Sequence, residues 1–530
     1  MRPVGEASLF WSLAFLLAAL ALLPAGRLIL AGGDVEVLLR PAVGVALLHT
    51  LVVSLGGMAV SGLVGGGAAL LMAAPDLGRR PTLLFLFSLL MMVPSQVTAI
   101  AWLNLVGPSL YGPGGITLLL GIEHAPLVLL ALRAGLGRVP AELLEAGQTA
   151  GARPLRLVAT IVLPLAAPAF GAGLGLAFVA NLGNFAAPAL LGIPGRYPVL
   201  TTLIYQRLSG FGPRVLGEVA DLSLLLGLVA GVALAVEAVI ARHRDVLGNG
   251  TGTPALPPLG RWRLVAEAGL WLLLAATLAM PLLALLGTAL DRAYGAPFSF
   301  ASLSLENFRY ILVEHEASRR ALANSFLLAL LSALILMLIA IPAAYFAVWR
   351  RSPVMRGLLF AASLPYALPG IVLAIAFILL LIRPIFGIGL YGTLGIILLA
   401  YLARFLALAE RPVSAAFRQL DPHLDEAAAL QGAGLVRRLR TIVLPLVLPA
   451  AMAGGLLVFL TAFNELTVSA LLWSAGHETL GVVLFSLEQA GDIPLAAALA
   501  VISTAVTVVL MLLVTRLARA LPAGVLPWQG

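Results

Sequence analysis

"EAAALQGAGLVRRLRTIVLPLVLPA" occupies Glu426–Ala450, and "EAGQTAGARPLRLVATIVLPLAAPA" occupies Glu145–Ala169. At an offset of 281 residues Glu145 pairs with Glu426, Gly151 with Gly432, Arg156 with Arg437 and Pro168 with Pro449, and TIVLPL at 160–165 recurs at 441–446. Upstream the offset is 275, which lays GGGAALLM at 65–72 over AIPAAYFA at 340–347 and Pro94 over Pro369. Extra residues in IRPIFGIGLYG relative to VGPSLYG take up most of the drift. In each copy a good helix-forming run begins at Glu145-Ala146 or Glu426-Ala427-Ala428. Gly151 or Gly432 interrupts it and arginines follow, so the pattern predicts a short surface helix, a turn and a second, basic helix. One such segment would read equally well as an ordinary connection whose arginines serve topology alone. Two at matched spacing point to a shared task.

The flanking sequence is far more apolar than these loops. Of 530 residues, 61% are hydrophobic and 11% charged, and the mean hydropathy is +1.06; charged residues make up about 25% of an ordinary globular chain. Apolar runs of the length needed to cross roughly 30 Å of hydrocarbon recur throughout. They fall near 8–31, 43–74, 82–106, 114–136, 161–190 and 215–241, then near 264–290, 320–349, 357–382, 392–410, 442–472 and 494–516. The expected fold is therefore an all-α polytopic membrane protein of about twelve spanning helices. The run from Ser8 to Ala31 has the length of a spanning helix, not of a cleaved leader.

Between the two sets of six lies "RHRDVLGNGTGTPALPPLGRWR", Arg242–Arg263, with the Gly, Pro and Thr content of a linker. The expected organisation is a first half over 1–242 with its loop near 138–164, a cytoplasmic linker over 243–263, and a second half over 264–530 with its loop near 411–445. Six helices per half is an even number, so both halves cross the membrane in the same sense and should enclose a common path.

All 32 positively charged side chains are arginines, and no lysine or cysteine is present. The net charge of +8 thus reports orientation rather than nucleic-acid binding, because most arginines sit in short loops between apolar runs. With both termini in the cytoplasm, Arg79, Arg80, Arg138, Arg153, Arg156, Arg242, Arg244, Arg261, Arg263, Arg350, Arg351, Arg356, Arg411, Arg418, Arg437, Arg438, Arg440, Arg516 and Arg519 all fall on the cytoplasmic side. Without a lysine there is no phosphate-cradling P-loop, so ATP is not expected to be bound and hydrolysed by that route. Without cysteine there is neither a disulfide nor a thiolate metal site.

Glu-Ala-(Ala)-x-x-x-Gly followed by Ile-x-Leu-Pro resembles the EAA loop of the membrane subunits of ATP-binding-cassette (ABC) importers. The resemblance implies a permease with no catalytic residues of its own, in the plasma (inner) membrane of a bacterium. Its partners would be a cytoplasmic ATPase dimer that binds ATP-Mg and an extracytoplasmic substrate-binding protein. It further implies that Glu145, Ala146 and Gly151 dock one ATPase subunit, and Glu426, Ala427, Ala428 and Gly432 the other. Gly147 stands where the motif has its second alanine, and is expected to weaken the first helix. The Glu426 copy should therefore tolerate damage less well. "NLGNFAAPALLGIPGRYPVLTTLIYQRL" (Asn181–Leu208) and "FNELTVSALLWSAGHETLGVVLFSLEQAGD" (Phe463–Asp492) look like fused permeases of ferric-iron importers, with thiamine and aminoethylphosphonate permeases as related cases. The alternative from another class is a secondary transporter of two parallel six-helix repeats, which would need no ATPase.

Polar groups inside spanning helices are costly and hence functional suspects. Asn181 and Asn184, with Asn464 and Glu465 in the second half, are expected at a central pathway or gate; the alternative is hydrogen bonding from helix to helix. Glu123, His124 and Arg404 are candidates for an intramembrane charge pair, and Gln96 and Asn104 are weaker pathway candidates. His315 lies between Glu314 and Glu316, but three adjacent residues point in different directions, so no metal site is expected there.

Overall fold

A computed structural model describes residues 4–210, 212, 214–242, 256–292, 303–384 and 387–517. Most of the expected linker, with Arg244 and Arg519, lies outside the described residues. Helices dominate, and the β-type pairing among the described residues is a single bridge between Asp291 and Leu303. Nine helices are long and apolar enough to span a membrane, and two bent pairs, Arg80–Met92 with Ser95–Leu110 and Pro353–Ala367 with Gly370–Leu381, bring the number to as many as eleven among the described residues. The remaining expected span, 392–410, falls in the helix Leu394–Gln419. That helix carries Arg404, Glu410, Arg411 and Arg418, which dilute its apolar character.

The two bends share one cause. Pro94 and Pro369 have no N–H to continue a helix, and each pushes the residue before it out of the helical region. Val93 accordingly has ψ 128° and Leu368 ψ 150°. The chain turns by 98° at the first break and 111° at the second. Two spans also end earlier than their apolar runs suggest. The fifth stops at Gly183 and the eleventh at Phe463; after the fifth, Asn184 Oδ1 accepts from Ala187 N–H (3.1 Å) and so caps the turn that follows.

Compact packing groups the helices differently from the sequence repeat. Among the described residues, one unit comprises those within 1–38, 204–225 and 305–529, and the other those within 39–203 and 226–304. In the first unit, the helix Val4–Ala31 lies against the bent pair Pro353–Ala367 and Gly370–Leu381. In the second, Arg263–Leu274 lies against Arg80–Met92, and Met280–Leu290 against Ser95–Val106. The first helix of each half thus buries its apolar face on the bent pair of the other half.

In each copy of the repeat the same device holds the start of a short helix that follows the fifth or eleventh span. Leu200 N–H donates to Thr50 Oγ1 in one unit, and Leu480 N–H donates to Ser325 Oγ in the other, both at 2.8 Å. Thr50 and Ser325 stand 275 residues apart, as the repeat requires. Beyond the undescribed linker residues, the Asp76 carboxylate accepts from Leu259 N–H (2.9 Å) and Gly260 N–H (2.8 Å). The bond from Leu259 is the main reason its pKa lies below the usual carboxylate range.

Candidate functional site

The two EAA segments fold as short exposed helices, Ala141–Thr149 and His423–Leu430. Glu145, Ala146, Glu426 and Ala427 face solvent, and Gly147 and Ala428 are half-buried at matching places. Each helix ends at its glycine: Gly151 has φ +78° and Gly432 φ +81°. This left-handed conformation costs a residue with a Cβ roughly 1–2 kcal/mol, which accounts for glycine at both sites. The chain then re-enters a helix, and a π-type turn (Val158–Val162, Leu439–Val443) leads into the long spans Leu163–Gly183 and Leu444–Phe463. Each surface helix is thereby joined to a membrane helix through one flexible residue and one irregular turn.

Beneath the surface helices the two copies differ. In the first, Leu144 and Leu157 are buried, and Gly147 leaves room for Leu157: a Cβ at 147 would lie 2.4 Å from Leu157 Cδ2 and 3.1 Å from Ile161 Cδ1. The glycine that breaks the motif thus lets Leu157 pack close to the surface helix, and a larger residue there would require the leucine's terminal methyl to shift. In the second copy, 281 residues on, Asp425 and Arg438 replace the two leucines. Arg438 Nη1 meets Asp425 Oδ2 at 2.6 Å, with both side chains only 4% exposed. Glu6 and Arg350 complete a four-charge cluster: Arg350 Nε lies 3.1 Å from Glu6 Oε1, Arg350 Nη2 lies 3.6 Å from Asp425 Oδ2, and Arg438 Nη2 lies 3.7 Å from Glu6 Oε2. The Tyr345 hydroxyl donates to Asp425 Oδ2 (2.8 Å) and accepts from Arg350 Nε (3.0 Å). Two acids and two bases leave the buried cluster neutral, the condition under which such charges are tolerated. It ties the second surface helix to the N-terminal helix and to the end of Glu316–Ala344.

On the exposed side of the same surface helix, His423 Nδ1 lies 3.0 Å from Glu426 Oε2. That hydrogen bond is the main reason the His423 pKa is raised, with Asp421 adding to it.

The polar residues of the spans form two constellations, one per unit. In the first, Asn184 Nδ2 donates to Ser95 Oγ (2.8 Å), and Ser95 Oγ donates to Glu123 Oε2 (2.7 Å). His124 Nδ1 bonds Asn181 Oδ1 (2.7 Å), Asn181 Nδ2 donates to the Ser54 carbonyl (3.2 Å), and His124 Nε2 lies 4.0 Å from Glu123 Oε1. In the second constellation, which lies in the other unit, the repeat offsets put Gly370, Arg404 and Glu465 where the first constellation has Ser95, Glu123 and Asn184. Arg404 donates to the Leu368 carbonyl (3.4 Å) and bears electrostatically on Glu465. Gly370 provides the space, since a Cβ there would lie 2.7 Å from Arg404 Nη1. Glu465 in turn accepts from Val468 N–H (2.9 and 3.0 Å) and Ser469 N–H (3.1 Å). A serine-bridged acid and amide in one half therefore corresponds to an arginine and an acid in the other.

Glu123 and His124 come together, while Arg404 belongs to the other unit with the partners just given. Asn464 ties two helices of its own unit, donating to Thr507 Oγ1 (2.9 Å) and accepting from Ser503 Oγ (2.7 Å). Among the weaker candidates, Gln96 is buried, and Asn104 donates to the Ile100 carbonyl (2.9 Å) and accepts from Thr288 Oγ1 (3.0 Å). His315 bonds Ser318 Oγ (2.7 Å) at the start of Glu316–Ala344. Sequence reasoning took Arg350 and Arg438 as orientation signals and passed over Glu6, Tyr345 and Asp425. The exchange of Leu144 and Leu157 for an acid and a base at the same offset was the sign that could have found the cluster.

Residues 65–243 and 324–526 match the family described as binding-protein-dependent transport system inner membrane component. The chain is 28% identical over 414 residues to a probable ABC transporter permease protein, y4fN, of Sinorhizobium fredii, covering 75% of this chain and 70% of that protein. It is 26% identical over 427 residues to the Fe(3+)-transport system permease protein FbpB 2 of Haemophilus influenzae, covering 77% and 76%. A putative 2-aminoethylphosphonate transport system permease protein, PhnV, of Salmonella typhimurium is 32% identical over 130 residues, covering 24% and 49%.

Proposed function

Since this chain belongs to the family of binding-protein-dependent transport system inner membrane components and is an ABC importer permease, we propose that it forms a ferric-iron path opened by ATP-driven alternating access. In this reading, two copies of a cytoplasmic ATPase grip Glu145–Gly151 and Glu426–Gly432, one each. Their closure pulls on the turns at 158–162 and 439–443, and so on the spans that carry Asn181 and Phe463. A substrate-binding protein delivers iron on the opposite face. Both termini lie on the ATPase side, which agrees with the arginine distribution.

The observation that carries the reading is the pair of exposed surface helices, each closed by a left-handed glycine and each continuous with a long span. The second helix also bears the exposed apolar side chains Leu424 and Leu430, with Val436 just beyond it, as a docking face requires. Iron is favoured among substrates by the similarity to Fe(3+)-transport permeases along most of the chain, whereas the aminoethylphosphonate likeness covers about a quarter. The constellations around Ser95–Glu123–Asn184 and Gly370–Arg404–Glu465 are each proposed as a gating element of its own unit, because they occupy equivalent places at the bent third and ninth spans.

The test is uptake by cells expressing this permease with the ATPase and binding protein encoded beside it. Radiolabelled ferric iron should accumulate, and thiamine and 2-aminoethylphosphonate should not compete. Competition by either would transfer the assignment to that compound. An ATPase should copurify with the chain and be lost on Gly432→Trp; uptake without an ATPase would remove the importer mechanism.

A further inference from the structure

A second cluster of arginines lies outside the machinery described above. The start of the helix Pro353–Ala367 and one face of Leu394–Gln419 enclose an open cavity of about 540 Å³ lined by Arg351, Arg356, Arg411, Arg418, Glu410 and Phe360 together with smaller groups. Among the described residues, none of the four guanidiniums has a carboxylate within 4.0 Å. Arg356 donates to the Arg351 carbonyl (3.2 Å), and the Arg411 guanidinium stands 6.0 Å from the Tyr366 ring centroid. The lone acid, Glu410, is occupied by the Ser414 hydroxyl. Three net positive charges around one cavity repel each other unless an anion joins them.

Two further features add to the positive potential. Ser352 caps Pro353–Ala367, so the N-terminal end of a 15-residue helix, with its positive dipole, sits between Arg351 and Arg356. Arg351 has φ +47°, a left-handed position at a helix end where glycine would relieve strain. A guanidinium is nevertheless placed there, at the cavity.

Arg351 (φ +47°), two residues before Pro353, has a counterpart in Arg79 (φ +51°), two residues before Pro81, whereas at the 281 offset Arg411 and Arg418 fall on Leu130 and Gly137. The first half has its own arginines at the ends of the matching helices, Arg79, Arg80, Arg133 and Arg138, of which Arg80 bears electrostatically on Arg133. The cavity also opens beside apolar surface, since Phe360 is 71% exposed and Leu364, one turn further along the same helix, 44% exposed. It lies at the same membrane boundary as the second surface helix, because Arg350, next in sequence to Arg351, pairs with Asp425 of that helix.

We propose that this cavity binds a phosphate group at the membrane boundary, in the manner of the basic pockets between membrane helices that hold anionic headgroups. Guanidiniums suit phosphate because they offer paired donors to its oxygens. Phe360 and Leu364 would lie along the acyl chain if the phosphate belongs to a lipid. One bound phosphate is expected in this cavity, beside the second surface helix.

The test uses the purified full chain in nanodiscs of phosphatidylcholine, titrated with short-chain phosphatidylglycerol or with inorganic phosphate and read by native mass spectrometry. One saturable phosphatidylglycerol is expected. The Arg356→Ala/Arg411→Ala variant should weaken it by roughly tenfold or more, as loss of charge-assisted hydrogen bonds predicts. Glu410→Gln should tighten it, a direction that damaged folding cannot mimic. Binding of phosphatidylglycerol without competition by phosphate assigns a lipid headgroup; equal binding of inorganic phosphate, with competition, assigns a free anion. Binding of neither, or binding indifferent to both variants, overturns the proposal.

Discussion

Arg438 and Asp425 meet at 2.6 Å beneath the second surface helix, where the first copy of the repeat has Leu157 and Leu144. Removing one partner from a buried pair typically costs about 3–5 kcal/mol, because the other charge is left without compensation. Arg438→Leu should therefore lower the thermal midpoint of the purified protein and weaken transport. The double substitution Asp425→Leu/Arg438→Leu removes one acid and one base, leaves Glu6 paired with Arg350, and reproduces the contact of the first copy. It should recover most of the lost stability, as read by thermal unfolding in detergent. A double variant no better than the single one would show that the cluster acts as a unit of four.

The apolar helices and the two surface helices were legible because each depends on a short-range pattern. Apolar run length gave the spans, and the glycines at 151 and 432 marked where a left-handed residue was needed. The bends were legible only in part. Pro94 and Pro369 aligned with each other, but a proline inside an apolar run does not say whether the helix kinks or turns through 98°. The grouping of each first helix with the other half was not legible, since spanning helices are apolar all round and their partners are chosen by shape. The same holds for the site. Glu123, Asn184, Arg404 and Glu465 stood out as charges and amides in oil, whereas Ser95 and Gly370, which decide how those groups meet, carry no unusual chemistry. Asp425 and Arg438 stood in loops where charge is ordinary, and only their burial distinguishes them.

Substitution of either left-handed glycine tests the hinge. Gly151→Ala and Gly432→Ala each place a Cβ at φ near +80°, at a cost of roughly 1–2 kcal/mol in the surface helix. The second loop is held by four charges and should yield less than the first, which rests on Leu144 and Leu157. Gly432→Ala should consequently reduce ATP-driven uptake more than Gly151→Ala. Equal losses in a vesicle transport assay would contradict that ordering.

Gly147 should prove better than the motif alanine in its own setting. Alanine gains roughly 0.5–1 kcal/mol of helix propensity, but its Cβ would stand 2.4 Å from Leu157 Cδ2, and overpacking typically costs about 1–3 kcal/mol. Gly147→Ala is expected to be destabilising on balance. In a double-mutant cycle with Leu157→Ala, the pair should lose less than the two singles added together. Strict additivity in thermal unfolding would mean that the leucine moves aside freely.

The gate constellations can be exchanged. Gly370→Ser introduces a Cβ 2.7 Å from Arg404 Nη1 and should lower both stability and uptake, by about 1–3 kcal/mol in the former. Gly370→Ser/Arg404→Glu/Glu465→Asn rebuilds in the second half the serine-bridged acid and amide of the first. If the two halves are equivalent scaffolds, the triple variant should be more stable than the single one. Uptake should stay low if the arginine has a task that the acid cannot perform. A triple variant less stable than Gly370→Ser would show that the surroundings of the two sites have diverged beyond these residues.

His423 and Glu426 give the exposed face of the second surface helix a pH dependence. The hydrogen bond from His423 to Glu426 favours the protonated ring and raises its pKa above the ordinary 6.5. For a group whose folded pKa is raised, the associated stabilisation is fully present below the unfolded value. It is lost as pH rises through the folded one. Below about pH 6.5 the pair should therefore be closed, and above the raised value Glu426, the motif acid, should be released from the ring. Nuclear magnetic resonance of the full chain labelled at histidine, with the His423 signal assigned by its disappearance in His423→Gln, would follow the titration. Glu426→Gln should bring the midpoint back towards 6.5, with a smaller residual rise from Asp421. A midpoint at or below 6.5 in the unmodified protein would mean that the ring and the carboxylate do not pair in solution.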